Sequence, residues 1–170
     1  INVTTIEDNA FADCTDLTSI TIPSGVTTIG DDAFARCYNL TSITIPASVT
    51  TIGGYVFSDC KNLTSVTIPS GVTAIGDGAF SGCQSLTSIT IPFGVSTIGE
   101  EAFYHCSLSS IIIPSSVVAI GDYAFADCVE LTSVTIPASV TLFGKYVFLN
   151  CNHLTEVYIS SGITTIGDGA

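Results

Sequence analysis

The sequence has few positive charges and contains neither methionine nor tryptophan. Its 170 residues carry three Lys plus Arg against fifteen Asp plus Glu, which gives a formal net charge of −12. So few cations cannot displace counterions from a phosphate backbone, which argues against a nucleic-acid partner. The same balance argues against anchoring on an anionic lipid surface. No apolar run approaches the roughly 20 residues that span a bilayer, so we expect no membrane insertion in this segment.

Charge of either sign is sparse, whereas hydrophobic content is ample. Charged residues make up 11% of the chain and hydrophobic residues 46%, which excludes a disordered polypeptide. The chain begins at Ile1, with neither an initiator methionine nor a basic-then-apolar leader. We therefore expect a processed product or an excised segment, from which any signal and anchor are absent.

One interval recurs along the whole chain. The cysteines are 23 residues apart, except for one step of 22 where only Ser107 separates Cys106 from Leu108. All seven occupy one repeat position: Cys14, Cys37, Cys60, Cys83, Cys106, Cys128 and Cys151. Such a period indicates stacked coils. About seven coils account for residues 1–170 as a single solenoid segment, without a recognisable capping repeat.

Each repeat divides into segments of different periodicity. The L-x-x-I-x-I pattern that begins at Leu17 predicts a short strand with its apolar side chains inward. Pro23 ends the strand, and a turn leads to a second short extended piece at 26–29. Gly30 and an acidic residue then predict one helical turn carrying Phe34. The expected fold is a leucine-rich-repeat-like solenoid of strand, turn, short strand and helical turn, with a parallel β-sheet on one face.

Stacking explains how such a sequence folds. A coil of 23 residues cannot close a core, but neighbouring coils cover each other's apolar edges and align like side chains in ladders. The two ends of the stack keep open apolar edges. End-to-end or lateral self-association is therefore a reasonable expectation.

The units LTSITIPSGVTTIGDDAFARC and LTSVTIPSGVTAIGDGAFSGC resemble BspA-like leucine-rich repeats of bacterial and protist surface proteins. Recurring L-x-x-I-x-I-P, I-G-x-x-A-F and a closing Cys carry the resemblance over almost the whole chain. It implies a curved solenoid, exported to the cell surface and active in adhesion, and it carries over no catalytic residue. The sequence departs from the pattern at Ser160, Phe143 and Lys145 and in the shortened unit.

The cysteines lack the clustered C-x-x-C spacing of a zinc site. Stacking would bring equivalent Cα atoms within disulfide range, but parallel side chains keep their Cβ atoms farther apart than the roughly 3.8 Å that a disulfide needs. An odd number of cysteines also leaves one thiol unpaired. We therefore expect buried free thiols, with no metal and no cofactor.

Acidic residues recur after the repeat's glycine or its equivalent. They are Asp8, Asp31, Asp77, Glu100, Asp122 and Asp168. At the N-terminus of a helical turn they would cap free amides and meet a favourable dipole. Calcium bound between coils is the alternative, although it needs six to eight oxygens per ion. Gly54 and Lys145 interrupt this column of acids.

Nothing in the sequence points to catalysis. His105 and His153 are the only histidines, and both flank the cysteine position at the variable edge of a coil. Exposure is expected there. The serines follow the repeat, and no G-x-S-x-G motif occurs. We predict no enzyme and no catalytic residue.

Hydroxyl side chains form three columns on the outward face of the first strand. The first column is Thr18, Thr41, Thr64, Thr87, Ser109, Thr132 and Thr155. The second is Ser19, Ser42, Ser65, Ser88, Ser110 and Ser133, and the third is Thr21, Thr44, Thr67, Thr90 and Thr135. Threonine suits an exposed strand, so the columns have a purely structural interpretation. The functional hypothesis is an uncharged lattice that binds proteins or glycans through many weak contacts, with ice as a further alternative.

Larger side chains interrupt this lattice and predict a partner-binding patch. Ile112 replaces a threonine of the third column, Phe93 follows a strand-ending proline, and Tyr158 ends a column. Tyr104 and His105 lie at the edge of a neighbouring coil. Exposed aromatic and apolar residues on adjacent coils are what an interaction hot spot requires. Packing against a following repeat or a second copy is the alternative.

The sequence thus predicts a non-enzymatic, extracellular or cell-surface module that binds a protein or glycan on host or neighbouring cells. The alternative is an architectural spacer or self-associating stalk segment, with recognition elsewhere in the parent protein; an enzyme is the third. Asn2, Asn39 and Asn62 lie in glycosylation sequons, which matter only for a eukaryotic source.

Overall fold

The computed structural model describes residues 2–163 and 165–170, which form a parallel β-solenoid of about seven coils with a repeat of about 23 residues. Coils are numbered here by their cysteines. Coil 1 therefore ends at Cys14, coil 5 comprises 84–106 and coil 6 comprises 107–128. This arrangement confirms the solenoid that the cysteine spacing predicts.

The strands form two columns that run along the solenoid. The first-strand column contains β3 (Ser42–Thr44), β5 (Ser65–Thr67), β8 (Ile111–Ile112), β10 (Ser133–Ile136) and β12 (Glu156–Ile159). The second-strand column contains β1 (Thr5–Ile6), β2 (Thr28–Ile29), β4 (Thr51–Ile52), β6 (Ala74–Ile75), β7 (Thr97–Ile98), β9 (Ala119–Ile120) and β11 (Leu142–Phe143). Paired strands are parallel and join equivalent residues, as Ile43 joins Val66. Both columns form sheets, so the prediction of a sheet on one face only is incomplete.

Strand pairing in the first-strand column stops at coil 5. Residues 86–91 keep the L-x-x-I-x-I pattern, yet they form no strand between β5 and β8. The N–H and the hydroxyl of Ser109 still join coil 6 to coil 5 on this side, because both donate to the Thr87 carbonyl oxygen, over 3.2 and 3.4 Å. The second-strand column continues through coil 5 in the order β6-β7-β9-β11. The interruption lies next to the single 22-residue step at Ser107.

The prediction of a helical turn is wrong, because a run of turns occupies that segment. In coil 2, Asp32 and Arg36 have φ values of 55° and 60°, in the left-handed region that an α-helix of L-residues excludes. The N–H groups of Asp32 and Phe34 donate to the carbonyl oxygens of Gly54 and Val56 in the next coil, each over 2.9 Å. These inter-coil bonds satisfy amides that a helix would otherwise pair within the segment.

Phenylalanine rings form the central ladder of the core. Successive ring centroids from Phe11 to Phe148 are 5.3 to 5.7 Å apart, and each pair is stacked. The inner rings are buried: Phe34, Phe57, Phe80, Phe103 and Phe125. A buried aromatic side chain contributes on the order of 1.5 to 3 kcal/mol through removal of apolar area from water. The stack therefore holds neighbouring coils at a fixed spacing.

The thiols form a second ladder beside the phenylalanines. Six of the seven, from Cys37 to Cys151, donate a hydrogen bond of 3.1 to 3.2 Å to a phenylalanine carbonyl oxygen of the preceding coil, as Cys83 does to Phe57. All seven cysteines are free, and burial is confirmed for Cys37, Cys60, Cys83, Cys106 and Cys128. Cys14 is exposed and Cys151 is half-buried. Burial raises the pKa of the Cys60 thiol to about 12, so it stays protonated at neutral pH.

A glycine follows each second strand from β2 onwards, because the coils approach closely there. A Cβ atom on Gly99 would lie 2.6 Å from the backbone nitrogen of Asp77, which leaves no room for a side chain. The acidic residue after the glycine binds the next coil: Asp77 Oδ1 accepts from the Glu100 N–H over 2.8 Å, and Asp31 Oδ1 accepts from the Gly54 N–H over 2.7 Å. The acids therefore cap amides of the following coil, rather than of their own segment.

Candidate interaction surface

Charge is segregated along each coil. Glu156 is the one charged residue in the segments that run from each leucine to the end of the second strand: 17–29, 40–52, 63–75, 86–98, 108–120, 131–143 and 154–166. All the other charged residues lie in the turn segments that precede, separate or follow these stretches. The described strand surfaces of coils 2 to 7 are therefore uncharged, and the turn edge of the solenoid is acidic.

The three hydroxyl columns differ in their hydrogen bonding. In the first column, hydroxyls such as those of Thr41 and Thr64 donate to the carbonyl oxygen of the equivalent residue one coil earlier, over 3.3 and 3.0 Å. Those hydroxyls have a structural partner. Within the part of the chain that the structure describes, the serines of the second column and the threonines of the third make no side-chain hydrogen bond. The hydroxyls of these two columns therefore keep both their donor and their acceptor groups free for a ligand.

The structure exposes three of the predicted partner-binding residues on or beside the first-strand column. Ile112 on β8 is 83% exposed, Phe93 is 72% exposed and Tyr158 on β12 is 57% exposed. Thr135 on β10 pairs with Ile112 on one side and with Tyr158 on the other, so the two large residues are not adjacent. Phe93 lies after the proline that ends residues 86–91.

A groove opens beside Ile112, where strand pairing is lost. It has a volume of about 190 Å³ and is lined by Ser88, Ile89, Thr90, Ile91, Ser110 and Ile112. Ile89 is half-buried, whereas its equivalents Ile43 and Ile111 are only 4% and 5% exposed. The equivalents Ile20 and Val66 are half-buried too, so partial access to this inward-facing position also occurs in coils 2 and 4. At coil 5 it coincides with the groove.

The other two predicted residues, Tyr104 and His105, do not line this groove. They lie beyond β7 in the turn segment of coil 5, where Tyr104 is half-buried and His105 is exposed. Their rings meet edge-on with centroids 6.1 Å apart. The neighbouring Asp127 carboxylate raises the pKa of Tyr104, because it favours the protonated phenol. The predicted patch therefore divides into a strand-face part and a turn-edge part.

Two exposed apolar residues escaped the sequence interpretation. Leu142 on β11 is 67% exposed and Val118, just before β9, is 44% exposed. Both stand where other coils carry threonine, serine or alanine, as at Thr28 and Thr97. The rule that identified Ile112, a large side chain in a column of small ones, identifies them too when it is applied to the second strand.

Two pairs of titratable side chains on the turn edge form ionic contacts at the surface. His153 Nδ1 lies 3.6 Å from a Glu130 carboxylate oxygen at the surface. The Arg36 guanidinium forms two hydrogen bonds of 2.6 and 2.8 Å with the Asp13 carboxylate, which lowers the pKa of that carboxyl group. Among the described residues, no group of three or more His, Cys, Asp or Glu side chains could hold a metal ion.

A larger apolar groove lies at the last described coil. Its volume is about 260 Å³, and its lining includes Phe143, Phe148, Leu154, Val157 and Ile166. β12 forms the edge of its sheet, because it pairs with β10 alone. Over the described ranges, no helix has the length and apolarity that crossing a membrane requires.

These ladders, paired coils and uncharged strand surfaces define a repeat protein of the leucine-rich class. The model of the BspA type leucine-rich repeat region, which comprises six copies, matches residues 1–96 and 73–170. The chain belongs to this family of BspA type leucine-rich repeat proteins. No curated protein sequence matches it significantly.

Solved bacterial structures agree with this assignment. A leucine-rich repeat protein of T. pallidum is 31% identical with a TM-score of 0.83, over 90% of this chain and 72% of that one. One from Bacteroides ovatus is 31% identical with a TM-score of 0.74, over 88% of this chain. The match spans 48% of the Bacteroides protein, about half its length. A leucine rich cell surface protein of Faecalibacterium prausnitzii is 29% identical with a TM-score of 0.60, over 98% of this chain and 67% of that one.

Proposed function

We propose that this chain is a non-enzymatic, extracellular interaction module that binds a protein or glycan on host or neighbouring cells through its strand face. The observation that carries the proposal is the pair of hydroxyl columns without intramolecular partners, on a surface without charge. Hydroxyl groups both donate and accept hydrogen bonds, so they suit amides and sugars alike. Because the surface carries no charge, contact does not require desolvation of ions.

Repetition explains how weak contacts would sum to binding. The second and third columns extend from Ser19 and Thr21 through coil 5, at the spacing of stacked coils. Each direct hydrogen bond contributes about 1 kcal/mol net, so affinity depends on several coils acting together. The location proposed here draws on the Faecalibacterium prausnitzii relative, which is described as a cell surface protein.

The alternative is a spacer that associates end to end. Its support is the apolar groove at the last described coil, with Val157 45% and Ile159 49% exposed. A second copy stacked there would extend the parallel pairing beyond β12. Sedimentation velocity over a range of protein concentrations tests this, because Val157→Asp should abolish any association that uses the groove. Concentration-independent sedimentation of the unaltered chain rejects the alternative.

A charge placed on the strand face tests the interaction proposal. We would measure binding of the immobilised chain to a panel of extracellular-matrix proteins and a glycan array. Thr67→Glu, in the third column on β5, should weaken binding at least about tenfold, because it places an ion in a surface that is otherwise uncharged. Gln84→Glu adds the same charge to the exposed turn edge and should leave binding unchanged.

Two results would reject binding through the strand face. One is the absence of binding to every member of the panel and the array. The other is an equal loss of binding for both variants, because that would show a response to net charge rather than to the position of the charge. Circular dichroism and thermal unfolding of Thr67→Glu check that the fold is retained.

A further inference from the structure

We infer that the groove between coils 5 and 6 is a subsite for one bulky apolar side chain, presented by a protein partner with a cationic surface. The inference rests on the proposed function and deepens it, because the groove lies on the strand face. It concerns the gap lined by Ser88, Ile89, Thr90, Ile91, Ser110 and Ile112. It assigns both the position of the contact and the chemistry of the group that enters it.

The groove is a consequence of the local backbone. Residues 88–91 make no strand pairing with either neighbouring coil, although their sequence, SITI, is the same as that of paired residues 42–45. On one side of the gap, the turn segments keep their spacing, because Phe103 stacks on Phe80 and Phe125 with centroids 5.4 and 5.3 Å apart. The coils are therefore held together at the phenylalanine ladder and separated at the strand face.

The lining matches an apolar group with polar surroundings. Ile89, Ile91 and Ile112 supply apolar walls, and the hydroxyls of Ser88, Thr90 and Ser110 supply a polar rim. The volume of about 190 Å³ exceeds the roughly 150 Å³ of an apolar cavity that admits benzene. A phenylalanine or leucine side chain therefore fits, while the rim hydroxyls are free to bond the backbone amides that flank it.

The exposure of Ile112 is a second observation that supports an apolar subsite. This residue is 83% exposed in a column where the paired coils carry threonine, and Phe93 on coil 5 is 72% exposed. An exposed isoleucine on the wall of an apolar groove, with hydroxyls around it, supplies an apolar centre that a partner would desolvate on binding, as at interaction hot spots. An exposed isoleucine without a partner contributes nothing to folding that threonine would not supply.

Charge identifies the kind of partner. The chain has a net charge of −12, and its acids lie on the turn edge rather than around the groove. The long-range field therefore attracts a cationic partner, while the contact itself stays uncharged. The rim offers hydroxyls alone, without the carboxylates or aromatic rings that would fix a sugar ring. These features favour a basic protein over a neutral glycan.

Short peptides test the subsite directly. The probe is a heptapeptide with lysine at both ends and a central phenylalanine between glycine and serine residues. Titrated into isotopically labelled protein, it should shift the amide resonances of Ile89, Ile91 and Ser110. Ile112→Thr should weaken this binding about tenfold, because it removes an apolar wall. Val129→Thr, which removes an exposed apolar residue from the turn edge, away from the groove, should leave it unchanged.

Peptide controls separate the two parts of the inference. Replacing the central phenylalanine by serine should abolish the shifts, and equal shifts overturn the apolar subsite. Replacing both lysines by glutamate should weaken binding, and equal binding overturns the cationic partner. Because Ile112→Thr installs the residue that other coils carry, its amide spectrum should remain that of a folded solenoid. A dissociation constant that is unchanged in Ile112→Thr also overturns the assignment.

The result is distinguishable from a failure of the proposed function. If a partner from the panel loses binding with Thr67→Glu but keeps it with Ile112→Thr, the strand face is the binding surface and the groove is not a subsite. If the phenylalanine peptide binds at the groove while no macromolecule binds the strand face, the groove stands and the proposed function falls.

Discussion

The thiol of Cys83 donates a hydrogen bond to the carbonyl oxygen of Phe57 in the preceding coil, with 3.2 Å between sulfur and oxygen. The same oxygen accepts the Cys60 N–H over 3.0 Å, so both of its lone pairs are used. Meanwhile the ring of Phe57 stacks on that of Phe80, with centroids 5.5 Å apart. The closing cysteine of the repeat thus satisfies a buried carbonyl group beside the phenylalanine ladder, which a purely apolar residue would not do.

Alkylation should distinguish the thiols by burial. With iodoacetamide at about pH 8, Cys14 should react rapidly, whereas Cys83 and Cys106 should stay unmodified until the chain unfolds. Cys14 is exposed, while burial raises the pKa of the other two thiols well above the usual value and also blocks access. Peptide mass spectrometry with and without denaturant measures this. Equal labelling of all three thiols in the native state would contradict the ladder.

Stability should fall in alkaline solution. Burial raises the pKa of Cys60 and Cys128 from 9.0 to about 12. Below pH 9 both thiols are protonated in the folded and the unfolded state, so their full contribution is present. Between pH 9 and 12 the unfolded chain releases these protons and the folded chain keeps them, so the free energy of unfolding decreases.

Urea unfolding at pH 7, 9 and 11 in the presence of a reductant measures this decrease. A Cys60→Ala, Cys128→Ala double variant should show a shallower pH dependence, because two of the contributing thiols are gone. An unchanged slope in the double variant would assign the alkaline loss of stability to other groups.

The acid–amide contact between coils should be detectable as stability. Asp77→Ala removes the acceptor of the Glu100 N–H, which lies 2.8 Å from Asp77 Oδ1. We expect a loss of about 1 kcal/mol, as for other side chains that cap a backbone amide. Asp77→Asn keeps an oxygen at the same place and should lose less. If urea unfolding shows the same loss of stability for Asp77→Ala and Asp77→Asn, the charge of the carboxylate stabilises the contact, rather than its role as a hydrogen-bond acceptor.

The glycine column should tolerate no side chain. In Gly99→Ala the new Cβ would meet the backbone nitrogen of Asp77 at 2.6 Å, so the two coils must separate. We expect destabilisation of about 1 to 3 kcal/mol, measured by thermal or urea unfolding. Gly71→Ala is the matched control, because its nearest neighbour would be Thr50 Cγ2 at 3.4 Å. If both variants lose the same stability, close approach is not the reason for the glycine at position 99.

The periodicity of the sequence predicts the stacked coils and the inward ladders, because every coil repeats the same apolar positions. It does not predict the conformation of the segment from Gly30 to Cys37. One acidic residue before A-F-x-x-C is as compatible with a helical turn as with a run of turns. The outcome depends on hydrogen bonds to the next coil, such as Phe34 N–H to the Val56 carbonyl oxygen, and on the positive φ values of Asp32 and Arg36. The sequence of a single repeat does not predict those contacts, because they are made with the next coil.

The candidate site is likewise predicted only in part by the sequence. A large residue in a column of small ones is visible in the sequence, and the exposure of Ile112, Phe93 and Tyr158 follows from it. The groove is not visible, because it depends on the loss of pairing at residues 88–91, whose letters equal those of paired residues 42–45. The sequence interpretation places Tyr104 and His105 in the same patch as Phe93 of the same coil. The second strand in fact separates them from it.

The near-identity of the interfaces between coils has a consequence for how such a protein changes in evolution. Adding or removing one whole repeat leaves Phe-on-Phe stacking, the thiol bond and the glycine contact intact at the new junction, because each half of the junction already exists elsewhere. Unequal recombination between tandem gene segments can therefore alter the length of the molecule in whole repeats at little cost to folding. The stretch at Ile89, where pairing of the first strands is interrupted, would serve as a fixed reference from which gained or lost repeats can be counted.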